Sequence, residues 1–147
     1  MEQAEGMTQP LAFQNLERLQ VLCLLQDGRG IAPAADKERL CDTVARLAGE
    51  GTQLPVAIIP TGDPQVVAPG RLTLLVHGAL MDANGGKQLA LTMRPYRPSV
   101  AGSDVLFGAM PRLADFTDDA ALEAAVAASL NEVLPWRDAG RGVRPIN

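Results

Sequence analysis

The chain has 147 residues, of which 47% are hydrophobic, 20% charged and 3% aromatic, and it carries a formal net charge of −4. This length favours a single domain that can bury most of its unfolded surface without a staple, and the mix is that of a globular chain rather than a disordered one. The acidic balance argues against a nucleic-acid partner, whose phosphates need Lys and Arg, and the scarcity of rings leaves little for base stacking.

Taken in order, the first fifteen residues are polar and mixed, and loose chain is expected there. The first six are acidic and polar, without the basic and apolar regions of a secretory signal, which points to the cytoplasm. A periplasmic protein whose signal has been removed would read the same way. No run of 18 apolar residues occurs, so no membrane span is expected.

Residues 19–25 are apolar on both faces and end at Asp27-Gly28, which suits a buried central strand; a helix over 16–25 is the alternative. A loop with Gly28, Gly30 and Pro33 follows. Asp36 fits a helix N-cap, and Leu40, Val44 and Leu47 make one apolar stripe before Gly49 and Gly51 end the helix. Residues 54–59 read as a short strand between Pro55 and Pro60, and 61–64 as a turn.

Residues 72–94 carry the clearest pattern. Leu72, Leu74, Val76, Gly78 and Leu80 alternate with Thr73, Leu75, His77, Ala79 and Met81. After a turn containing Asn84-Gly85, Leu89, Leu91 and Met93 alternate with Gln88, Ala90, Thr92 and Arg94. Strand side chains point to opposite faces with period two, and Asn-Gly tolerates the positive φ of a tight turn, so this is a hairpin with one aliphatic face. Pro95 and Pro98 close it. Residues 99–116 are irregular but apolar, and Val105, Leu106, Phe107, Met110, Leu113 and Phe116 must pack on something.

The last helix starts at Thr117 or Asp118, whose acidic neighbourhood suits the positive end of the dipole. Leu122, Val126, Leu130, Val133 and Leu134 fall at helical spacing, Pro135 stops the helix, and Trp136 is expected on the edge of the core. Arg137, Arg141 and Arg144 read as a solvated tail.

The fold class that follows is α+β: a mixed, mostly antiparallel four-stranded sheet with two helices packed on one face, in the order β-α-β-β-β-α. Residues 1–147 form one domain with loose ends at about 1–12 and 138–147.

Chemical motifs are thin. Gly28-Arg29-Gly30 lacks the third glycine of a dinucleotide loop, having Pro33 in its place, and Gly86-Lys87 is followed by Gln88 rather than Ser or Thr. His77 is the one histidine, and with two cysteines it makes no structural zinc site. As a general base it would need a nucleophile, Cys23 or a serine such as Ser103, and an orienting acid; a half-buried or solvent-facing sheet histidine is the simpler reading. Asp115, Asp118, Asp119 and Glu123 lack the spacing of a calcium loop and suit a helix dipole. Cys23 and Cys41 are either buried thiols or bonded to each other, closing a loop of about 17 intervening residues worth on the order of 3 kcal/mol. No metal or other cofactor is expected. Arg94, Tyr96, Arg97, Phe107, Met110 and Arg112 combine the residue types enriched at protein interfaces; the bland alternative is a loop that closes one end of the core.

The order of elements resembles the small α+β domains of bacterial envelope assembly proteins, a likeness that implies an envelope accessory role. The expectation is a non-catalytic module that binds a partner protein or assembles with itself. The alternative is a small hydrolase or transferase using His77 as general base.

Overall fold

The computed structural model describes residues 13–83, 85–98 and 107–138. Expectations that fall on residues 1–12, Asn84, Ser103, Val105, Leu106, Arg141 and Arg144 lie outside those residues.

The elements are β1 (Arg18–Asp27), β2 (Gly30–Ile31), α1 (Ala34–Ala48), β3 (Val56–Ile58), a 3-10 helix over Pro64–Val67, β4 (Arg71–Ala83), β5 (Gly86–Tyr96), β6 (Arg112–Asp115), α2 (Asp119–Val133) and α3 (Pro135–Asp138). They build the α+β architecture read from the sequence, with six strands in place of four. The extra strands are the two-residue β2 and the four-residue β6, the second within a stretch read as irregular. Each is defined by its partner rather than by its own pattern.

The sheet runs β2-β1-β4-β5-β6, with β3 also on β1. β1 is parallel to β3 and to β4, whereas β4–β5 and β5–β6 are antiparallel. Because β4 holds one side of β1 along residues 18–26, β2 and β3 share the other side end to end. The hairpin pairs from Thr73–Tyr96 to Ala83–Gly86, and Gly85 has the positive φ of +80° that its turn requires.

One sheet face is covered. Leu19, Val21, Cys23 and Leu25 of β1, Leu72, Leu74 and Val76 of β4, and Leu89, Leu91 and Met93 of β5 are buried there. They share one core with Leu40, Cys41, Val44 and Leu47 of α1 and Leu122, Val126 and Leu130 of α2. Burial of this kind contributes roughly 1.5–3 kcal/mol per large aliphatic side chain. The helices are tied to each other by ion pairs Arg39–Asp119 at 2.7 Å and Arg46–Glu123 at 2.8 Å. Arg39 also lies 4.4 Å from the centre of the Phe116 ring.

Two local expectations are corrected. Asp36 is not the N-cap: Pro33 holds that position, its carbonyl accepting from the amides of Asp36 and Lys37, and Asp36 stands in the first turn beside the positive dipole end. Arg137 is not a solvated tail residue. Its Nη1 donates to the Leu47 carbonyl at 2.5 Å and pairs with Glu50 at 3.2 Å, so a cation closes the C-terminal end of α1. Trp136 docks beside it, packed on Phe13 and donating from Nε1 to the Ala48 carbonyl. Asp118 caps α2, accepting from the amides of Ala120 and Ala121.

Candidate interaction face

The other face of the sheet is crossed by neither main helix. β1, read as buried because both its faces are apolar, is central in the sheet yet covered on one side only. Strand pairing aligns its outward residues in rows. Leu22, Leu75 and Arg94 form one row, and Leu24, His77 and Thr92 the next. Gln26, Ala79, Ala90 and Leu113 form the third, and Met81, Gln88 and Asp115 the fourth. Leu24 is 37% exposed, Met81 45% and Leu113 63%, while Leu22, Leu75, Ala79 and Ala90 are half-buried. Aliphatic side chains in adjacent rows make a contiguous apolar patch, which scattered surface leucines do not.

One end of this face is closed. Gln20 and Thr73 point outward from β1 and β4 but are fully buried. Gln20 Nε2 donates to Thr73 Oγ1 and to the Gln65 carbonyl, both at 3.1 Å, so the 3-10 helix roofs that end. Beyond it lies an open cavity of about 450 Å³ lined by Leu22, Leu24, Leu75, His77, Thr92 and Arg94, with Gly108 and Ala109 on its rim. Gly108 is held close by the Ala109 amide donating to the Met93 carbonyl at 2.8 Å. A Cβ on Gly108 would stand 3.0 Å from Arg94 Cβ, so a glycine lets this segment lie against β5.

The residues singled out as a contact surface are placed in different parts of the fold. Arg94 and Tyr96 project from β5 on the open face, both exposed. Arg97 donates to the Gln14 carbonyl at 2.6 Å, binding the chain that leads into β1. Glu132 near the end of α2 holds Arg112 through one carboxylate oxygen and accepts from the Met110 amide through the other. Phe107 and Met110 remain strongly exposed, at 78% and 68%.

His77 is exposed, and its Nε2 lies 2.9 Å from Gln26 Oε1. Its other polar neighbour on this face, Thr92, donates to the His77 carbonyl rather than to the ring. Cys23 is ruled out as its nucleophile: it is buried on the opposite face and disulfide-bonded to Cys41, with a Cα–Cα distance of 6.0 Å. The acidic residues near α2 are each engaged. Asp119 and Glu123 pair with arginines, Asp118 caps the helix, and Asp115 accepts from the Thr117 amide and hydroxyl at 2.9 and 2.6 Å. The Thr117 hydroxyl first, and its amide second, hold the Asp115 carboxyl below its ordinary range. Among the described residues, no three His, Cys, Asp or Glu side chains gather as metal ligands, and no helix is long and apolar enough to cross a membrane.

A sheet covered on one face was read from the sequence, but the open face was not singled out as a contact surface, although the second apolar side of residues 19–25 continues in Leu75, Ala79 and Ala90 of the hairpin. The side on which the helices pack is the one expected, the aliphatic face of the hairpin with Leu74, Val76, Leu89 and Leu91.

No protein-family model matches the chain, and no curated protein sequence matches it. Among solved structures it is similar to a PelC dodecamer from Paraburkholderia phytofirmans in space group P6, with 14% identity, coverage of 87% of this chain and 91% of that one, and a TM-score of 0.47. A C2 crystal form of a PelC variant from the same organism gives 13% identity, the same coverage and a TM-score of 0.45. The crystal structure of an uncharacterized protein gives 11% identity, coverage of 88% and 94%, and a TM-score of 0.38.

Proposed function

We propose that this protein is a non-catalytic module that binds protein through the open face of its sheet. One observation carries the reading. Leu22, Leu24, Leu75, Met81 and Leu113 stand in adjoining rows on a face that neither main helix crosses, while the opposite face holds the core. A sheet face that merely meets water is expected to be polar at most positions; this one sets leucines, alanines and a methionine among its Arg, His, Thr, Gln and Asp residues. Contact with a protein surface removes those apolar side chains from water. Arg94 and Tyr96 belong to the same surface, whereas Arg97 and Arg112 hold the fold together.

The Cys23–Cys41 disulfide supports an oxidising compartment, the bacterial periplasm being one. The cytoplasmic reading of the first six residues requires that pair to be reduced. The redox state of the two cysteines in native cells decides between them.

A photo-reactive residue in place of Leu24, compared with one in place of Asp42 on the exposed side of α1, tests the contact surface. Illumination in native cells is expected to give a protein adduct from position 24 and none from position 42. No adduct from position 24, or equal adducts from both, overturns the reading.

A further inference from the structure

We infer that the protein on the open face is a second copy of this chain, stacked sheet to sheet across a twofold axis that reverses the strand direction. This rests on the open face being a contact surface, and it adds the identity and geometry of the occupant.

The argument is self-complementarity. Arg94 and Asp115 mark opposite ends of the face. Asp115 pairs with Gln88, six residues along β5 from Arg94, or about 20 Å. Both are exposed, and within the described residues no ion pair engages Arg94. Both Thr117 bonds to Asp115 fall on Oδ1, which leaves Oδ2 open to a cation.

A twofold axis lying between the two sheets, perpendicular to the strands and level with Leu91 and Gly78, carries each strand onto its own copy, reversed. Leu91 and Gly78 are partners in the hairpin register, so one axis serves both strands. Arg94 then stands on Gln88 of the second copy, one strand spacing of about 4.8 Å from its Asp115, within reach of a guanidinium. By symmetry the pair forms twice. The same operation sets Leu75 on Met81, His77 on Ala79 and Thr92 on Ala90 of the second copy, so that larger side chains meet smaller ones or a flexible methionine. Aligned sheets stack about 10 Å apart in this way; here the operation also brings Ala83 of the second copy opposite the 3-10 helix over Thr73, so the close stack is confined to the exposed rows and is tightest on the β5 and β6 side. An axis along the strands would instead set Arg94 on Leu75 with no acid nearby. An isologous dimer needs a surface complementary to itself, and only the strand-reversing axis provides one here.

Sedimentation equilibrium on the full chain, over roughly a hundredfold range of concentration, tests this. The wild-type mass is expected to rise from one chain to two, less readily at high salt because the pairs lie at the rim. Arg94→Glu and Asp115→Lys are each expected to weaken association about tenfold or more, and the double variant to recover it. Thermal unfolding checks that each variant is folded. Should Asp115→Lys not fold, Arg94→Glu with Gln88→Lys tests the same crossing. A wild type that stays monomeric throughout, single variants that associate like wild type, or a folded double variant without recovery each overturn the inference. A monomeric chain that still forms an adduct with a different protein from position 24 overturns the second copy and leaves the contact surface standing. No adduct at all removes both.

Discussion

Leu40 of α1 rests on Gly78 of β4. A Cβ at Gly78 would stand 3.4 Å from Leu40 Cδ2 and 2.8 Å from the Cδ1 atoms of Leu25 and Leu89. The glycine interrupts the apolar row of β4 where the helix comes nearest, and three leucines close over the gap. All three are fully buried, so their methyl groups have no room to withdraw.

Gly78→Val is therefore expected to destabilise the fold by about 1–3 kcal/mol through overpacking, despite the higher strand propensity of valine. Urea unfolding followed by circular dichroism measures it. A neutral or stabilising result would mean that α1 does not seat on β4 as described.

The Cys23–Cys41 bond joins the central strand to the helix above it, with a sequence separation of 18. A crosslink closing a loop of this size is worth roughly 3 kcal/mol. Reduction of the folded chain is expected to lower the melting temperature by about 6–12 °C, the shift that such a loss gives a domain of this length. Scanning calorimetry with and without reductant reads it, with thiol titration to confirm that the bond has opened. An unchanged melting temperature after confirmed reduction would contradict this pairing.

Asp115 has a folded-state pKa below its ordinary value of 3.8, first because it accepts from the Thr117 hydroxyl. A depressed carboxylate contributes stability that is present above the unfolded pKa and lost as pH falls through the folded one. The Asp115 carboxyl signal, followed by NMR, is expected to titrate below pH 3.8 in the native chain and to move back toward that value in Thr117→Val. Equal midpoints in the two proteins would show that the hydroxyl is not the cause.

The sequence by itself determined the periodic elements. Two-residue alternation across the hairpin and the helical stripes of α1 and α2 are local properties of the chain, and the buried residues fell on the faces those periods select. It also offered Cys23 and Cys41 as a possible pair, because a strand and its crossover helix bring them near.

Tertiary structure alone decided the rest. β2 and β6 exist because other strands hold their backbone groups, and two- or four-residue segments carry too little pattern to announce that. Pro33 displaced Asp36 as the cap through backbone geometry that a list of residue preferences does not contain. Arg97, Arg112 and Arg137 resembled contact or tail residues until carbonyls and carboxylates distant in sequence claimed them. The extent of the open face belongs to this second group. Alternation named the aliphatic face that receives the helices, but how much of the opposite face stays uncovered depends on contacts between segments far apart in the chain, such as the 3-10 helix over Gln20 and Thr73.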